Sequence, residues 1–216
     1  MRITTQMLNQ TSAETGIAIN SVSLVNYLDD DTDTTSLLDS LQTSTSQITS
    51  YEELEEAATS LESAVQALTD DSEDSLFAMA QESGDNSEVM ESIRTLAEKY
   101  NELLEELSDS TSTINSYYLQ AIKKLTSSNS DELSLLGITI ESDGSLTVDE
   151  SVLESASLED LENLFGADSE FMESLSSLAS KVSDSAAAEL ESTASQYTSS
   201  ATATSSYTSS QYDWWG

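Results

Sequence analysis

The stretch Leu136-Gly137-Ile138-Thr139-Ile140-Glu141-Ser142-Asp143-Gly144-Ser145-Leu146-Thr147-Val148-Asp149-Glu150 sets two short β-branched runs on either side of an Asp-Gly pair. Glycine takes φ > 0 without a Cβ clash, so residues 138–148 are predicted to form a β-hairpin that turns at Asp143 and Gly144. Asp149 then offers a side-chain oxygen to the free N–H groups of a helix starting at Glu150. Ser157 does the same for Leu158–Phe165, with Asp160 in the place of a capping-box acid. Gly166 is expected to end that helix as a left-handed cap. The segment therefore reads as a hairpin followed by two short helices.

Long helical patterns flank it. From Thr34 to Asp70 the apolar residues Leu37, Leu41, Ile48, Tyr51, Leu54, Ala58, Leu61, Val65 and Leu68 recur mainly at steps of three and four, with one gap at Thr45. That spacing predicts an amphipathic helix of coiled-coil character. Met90, Ile93, Ala97, Tyr100, Leu104, Leu107, Ile114, Tyr118, Ala121 and Leu125 repeat it over Glu88–Leu125. Laid antiparallel, the two would bury their stripes, and Arg94, Lys99, Lys123 and Lys124 of the second would offset Glu52, Glu53, Glu55, Glu56 and Glu62 of the first. Between them Asp70–Ser87 reads as a polar connector. Its Leu76-Phe77-Ala78-Met79 patch is either a short packed helix or a knob facing a partner. Substitution of Gly84 in this connector is expected to be far milder than substitution of Gly144.

A third amphipathic pattern covers Ser169–Tyr197 through Phe171, Leu175, Leu178, Val182, Ala186 and Leu190. Two helices can pair without it, so its stripe is expected to stay open for association. Residues 198–216 form a Ser/Thr-rich tail, read as flexible and ending Tyr212-Asp213-Trp214-Trp215-Gly216. Trp214 and Trp215 either fold back on a helix or anchor a partner subunit. Residues 1–33 are read as a flexible N-terminal segment, with Ile17-Ala18-Ile19 weakly alternating. The domain is then residues 34–197. The fold class is mainly α: an elongated, antiparallel, coiled-coil-like helical hairpin carrying a small β-hairpin, short helices and a third, C-terminal helix.

Composition narrows the function. The 216 residues carry 41 acidic and 6 basic side chains, a formal charge of −35. Self-repulsion at this level favours elongation, and nucleic acid, which needs a basic surface, is not an expected partner. With no cysteine and no histidine, thiolate or imidazole metal sites and Ser-His or Cys-His catalysis are impossible. No Gly-rich phosphate loop or nucleophile elbow appears, and paired carboxylates in so acidic a chain carry no information. The chain is not expected to be an enzyme or to hold a cofactor. The turn approximates a calcium loop, with Glu141 third, Asp143 fifth, Gly144 sixth and Glu150 twelfth. Thr139 then stands first, where a carboxylate is required, so no metal is expected. No apolar run approaches the ~20 residues that span a bilayer, and no basic-then-apolar start suggests a cleaved signal.

The order Leu136-Gly137-Ile138-Thr139-Ile140, Asp143-Gly144, Leu146-Thr147-Val148-Asp149-Glu150, Leu153 and Leu164-Phe165-Gly166 resembles the C-terminal region of the bacterial flagellar filament cap family, the second hook-associated proteins. In that family a Tyr-Asn-x-Leu helix precedes the hairpin, and Tyr100-Asn101-Glu102-Leu103 stands in that place. The resemblance covers roughly residues 88–181. The opening Met1-Arg2-Ile3-Thr4 with Met7 resembles that of hook–filament junction proteins. The chain leaves no room for the cap family's head domains, so nothing those domains do is expected of it.

The resemblance implies a structural protein exported without a cleaved signal, located on the flagellum and assembled through terminal helices with flagellar subunits or with itself. Expected packing or assembly residues are Leu103, Leu104, Leu107, Leu135, Ile138, Ile140, Leu146, Val148, Leu153, Leu164, Phe165, Phe171, Leu175 and Leu178. The alternative is a cytoplasmic acidic helical module that binds or chaperones a basic partner. Neither reading involves nucleic acid or membrane insertion.

Overall fold

The computed structural model describes the backbone of residues 34–208 and the side chains of residues 45–193. The readings made at Ile17-Ala18-Ile19, Trp214 and Trp215 lie outside the described residues. The long apolar stripe becomes α1 (Thr34–Leu68), which ends where Asp70 takes the Ser72 N–H at 3.0 Å. The connector contains α2 (Leu76–Ser83), so its apolar patch is a packed helix. Ser75 caps its start, Phe77 and Ala80 are buried, and Met79 is left exposed.

Next come α3 (Ser87–Asp109), α4 (Thr113–Ser128), α5 (Ser130–Leu135), β1 (Ile138–Ile140) and β2 (Leu146–Val148). They are followed by α6 (Glu150–Leu153), α7 (Leu158–Phe165) and α8 (Glu170–Thr208). The fold is mainly helical with one small antiparallel sheet, in the register Ile138↔Val148, Thr139↔Thr147, Ile140↔Leu146.

The predicted continuous helix over Glu88–Leu125 is two helices. Ser110 and Ser112 are extended, with ψ of 134° and 135°, and the chain turns so that α4 packs on α3. Serine and threonine side chains compete with the helix for backbone partners. Here the Ser110 hydroxyl accepts from the Ser112 N–H at 3.2 Å and from the buried Asn115 amide at 2.8 Å. The apolar residues on both sides of Ser110 kept a helical spacing, which hid the corner.

The chain divides into two units, residues 52–187 and residues 1–51 with 188–216. In the first, one core joins Leu54, Ala58, Leu61, Val65 and Leu68 of α1, the Val89–Leu107 stripe of α3, and Phe171, Leu175, Ala179, Val182 and Ala186 of α8. Each large side chain so buried contributes roughly 1.5–3 kcal/mol. The expectation that the α8 stripe stays open is therefore corrected. Leu175 is 1 % exposed and Val182 0 %, because the stripe completes the core of its own chain. The Phe165 and Phe171 rings meet edge to face, tying α7 to the start of α8. In the second unit, α8 continues past Tyr197 to Thr208, so the Ser/Thr/Ala stretch read as a flexible tail is helical there.

Two glycine readings also change. Gly166 has φ −81° and ψ −175°, so it is extended and not a left-handed cap. A Cβ there would lie 2.5 Å from the Glu162 carbonyl oxygen, so lack of bulk is what the position needs. Gly84, expected to be replaceable, sits at φ +72° as the left-handed cap of α2.

Candidate functional site

The hairpin is fastened to α3 by side chains that supply what a third strand would. In this register the N–H and C=O of Leu146 point away from β1. Asn101 of α3 occupies that edge: its Oδ1 accepts from the Leu146 N–H at 2.7 Å, and its Nδ2 donates to the Leu146 carbonyl at 2.8 Å. A planar amide carries one acceptor and one donor side by side, so asparagine can close a strand edge with a single side chain. One helical position earlier, the Tyr100 hydroxyl donates to the Gly144 carbonyl at 3.2 Å and lies 3.0 Å from the Thr126 hydroxyl of α4. Each hydroxyl has one proton. Tyr100 spends its own on Gly144, so Thr126 donates to Tyr100, and the Ile122 carbonyl beside Thr126 keeps its helical N–H partner. Tyr100 is 1 % exposed, and burial pushes its phenol above the ordinary value while the Thr126 hydrogen bond acts the other way.

The turn itself is held from both sides. Gly144 has φ +94°, and a Cβ added there would sit 2.8–3.0 Å from the Lys123 methylenes, so the α4 lysine stem lies across it. Asp143 accepts from the Ser145 hydroxyl at 2.7 Å and its N–H at 3.0 Å, which holds its carboxyl below the usual range; Lys123 acts in the same direction. Asp149 repeats this on Ser151 and also takes the Val152 N–H, and its carboxyl is lowered likewise. Asp143 and Asp149 thus serve as turn and cap residues. Among the described residues, no group of three or more carboxylates is placed to hold a metal ion. Ser157 caps α7 by accepting from the Asp160 N–H, and the Asp160 carboxylate returns to the Ser157 hydroxyl at 2.5 Å instead of the backbone.

Of the expected packing residues, Leu103, Leu104, Leu107, Ile138, Leu146, Leu153, Leu164, Phe165, Phe171 and Leu175 are buried. Ile140, Val148 and Leu178 are half-buried against the same core. Leu135 stands apart: it is 79 % exposed and does not join the core of its own chain. In so short a helix, Leu133 turns its side to the core with Leu136 just beyond, and Leu135, two residues from Leu133, points the other way.

The roles of Asn101, Thr126 and Lys123 were not foreseen. From the sequence, Tyr100 is legible only as a stripe position and as part of the Tyr-Asn-x-Leu motif. Asn101 left one local trace, a residue of modest helix propensity beside a core aromatic.

Charge is arranged differently from the expected cancellation between α1 and α3. Lys99 pairs with Glu102 at 2.8 Å and Arg94 with Glu91 at 2.6 Å, both within α3. Arg94 also reaches Glu150 of α6 at 3.5 Å. Across to α1 the result is mixed. The Glu102 hydrogen bond raises the Lys99 ammonium and Glu56 adds to it. Burial raises the Glu106 carboxyl, with Glu53, Asp109 and Glu105 adding repulsion. Glu52, Glu55 and Glu56 share one accessible face of α1 with Thr59, Ser60 and Ser63, and Thr59 meets Ser183 of α8 at 3.3 Å. No described helix is long and apolar enough to cross a membrane.

These features define a mainly helical protein in which a β-hairpin is latched to a long helix. Neither a family model, nor a curated protein, nor a solved structure matches the chain.

Proposed function

We propose that the chain is a structural subunit of the bacterial flagellum, of the filament-cap kind, exported and assembled through its helices and without catalytic activity of its own. One observation carries the reading. The two separated segments in which the sequence resembles the cap family, Tyr100-Asn101 and Gly144 to Leu146, are the segments that bond to each other in the latch. Its partners are other flagellar subunits or further copies of itself, and its location is extracellular. The α1 and α8 helices supply the assembling ends; their stripes within residues 52–187 are already filled. The test is fractionation: antibody to the chain should label sheared filaments or culture medium. A pool confined to the cytosol overturns the reading. Removal of residues 1–33 should abolish export while far-ultraviolet circular dichroism of the purified remainder stays helical.

The carboxylates Glu52, Glu55 and Glu56 along one accessible face of α1 favour a second reading, a cytoplasmic acidic module that binds a basic partner. Cytosolic retention together with salt-sensitive capture of one lysine- or arginine-rich protein would select it.

A further inference from the structure

The hairpin turn contains the chain's sole Asp-Gly pair, which among aspartyl dipeptides is the one whose backbone rearranges most readily, because glycine offers the attacking nitrogen no steric cover. We propose that Asp143-Gly144 is a dormant isomerisation site that the latch keeps closed, so that isoaspartate forms at residue 143 only when the hairpin lifts from α3.

In the reaction the Gly144 amide nitrogen bonds to the Asp143 side-chain carbon. The carboxyl hydroxyl and the amide proton leave as water, and a five-membered succinimide remains. Water then opens the ring. Addition at the side-chain carbonyl restores aspartate, whereas addition at the backbone carbonyl routes the chain through Cβ and lengthens it by one carbon. No oxidant, metal or second protein is needed.

The folded turn withholds each reactant. The Gly144 N–H is engaged by the Glu141 carbonyl at 3.0 Å. The Asp143 Oδ1 is turned forward onto the Ser145 N–H and hydroxyl. Swinging the Asp143–Gly144 peptide plane toward the side chain would break the Gly144 N–H bond to Glu141, and the Tyr100 bond to the Gly144 carbonyl and the Lys123 stem beside Gly144 hold the adjoining peptide unit of the turn against that swing. The carboxyl of Asp143 is nevertheless exposed to solvent, so water and protons reach it; geometry, not access, is what restrains the step. Once formed, the longer backbone no longer matches the Glu141–Ser145 closure or the Asn101 clamp at Leu146, so a single event disables the latch permanently.

The full chain is incubated at about 37 °C and pH ~6 in buffer and in concentrated urea, beside a synthetic peptide of residues 137–149 in each solvent. Isoaspartate at residue 143 is quantified by electron-transfer fragmentation, which distinguishes the two backbones. The native chain should react at least about tenfold more slowly than the peptide, and the urea-unfolded chain at the peptide's rate. Asn101→Ala, which removes two hydrogen bonds, should accelerate the native reaction about tenfold or more. Tyr100→Phe, which keeps the ring and the packing, should accelerate it severalfold, and it keeps the test valid should the Asn101 variant fail to fold. A native chain as reactive as the peptide, or a Tyr100→Phe chain no faster than the parent, overturns the proposal.

Discussion

Asn101→Ala isolates the clamp. The substitution removes both bonds to Leu146 and leaves its N–H and C=O without partners. Each bond contributes about 1 kcal/mol net. Leu146 is 7 % exposed, so water replaces them poorly and part of a desolvation penalty of ~1–3 kcal/mol is added. The expected loss is about 2–3 kcal/mol, a large share of the ~5–15 kcal/mol that folds a typical domain. Urea denaturation should show the lower midpoint at an unchanged slope, since the surface exposed on unfolding stays the same. Amide exchange should accelerate first at residues 144–148, before the core of α3. Asn101→Asp is the sharper control. At neutral pH it can still accept from Leu146 N–H but turns a second oxygen on the Leu146 carbonyl, so it should be no better than alanine. The fold then favours the protonated acid, which can donate, so the pKa is raised and stability returns as pH falls through it. A loss below about 0.5 kcal/mol for Asn101→Ala, with exchange at Leu146 unaltered, would refute the clamp.

Four further outcomes follow from the geometry. Gly144→Ala should lower stability more than Gly84→Ala, since both need positive φ but only Gly144 also meets the Lys123 stem; Gly84→Ala should still cost about 1 kcal/mol, measured by urea titration of the two variants. The Asp149 carboxyl is held low by its Ser151 and Val152 bonds, so its contribution is present above the ordinary aspartate value of ~3.9 and lost as pH falls through the lower folded value. Glu106 has the opposite sign: its raised carboxyl favours the protonated form in the fold, so Glu106→Gln should raise the urea midpoint at pH 7 and lose that advantage in acid, whereas a lower midpoint at pH 7 would refute it. Leu175→Asp should cost several kcal/mol and collapse the cooperative helical signal, because it places a charge in the chain's own core; a folded variant altered only in its association would contradict this.

How far the sequence disclosed this molecule depends on the range over which each feature acts. The Ile138–Val148 hairpin, the Asp149 and Ser157 caps and the length of α1 depend on residues within a turn or two of one another, and local spacing described them. Which leucines of α5 face inward was not legible, because a stripe on a six-residue helix has no second turn to set its face. The corner at Ser110 failed because apolar period was weighed above the run Ser108-Asp109-Ser110-Thr111-Ser112, whose side chains can satisfy backbone groups outside a helix. The polar neighbours of Gly84 described a loop but not the positive φ that the end of α2 requires. The latch was beyond local rules altogether. Asn101 meets a strand 45 residues on, and nothing beside it states what its amide will bond. Tyr100-Asn101 and the Asp-Gly hairpin entered the sequence reading side by side, as parts of one motif order, without any contact between them being inferred. The latch gives that pairing a physical cause. A hairpin this short is marginal by itself, and a helix that presents tyrosine and asparagine on adjacent positions supplies both the bond to its turn and the closure of its open edge. The two segments therefore depend on one another: either can vary only while the other still presents a matching donor and acceptor.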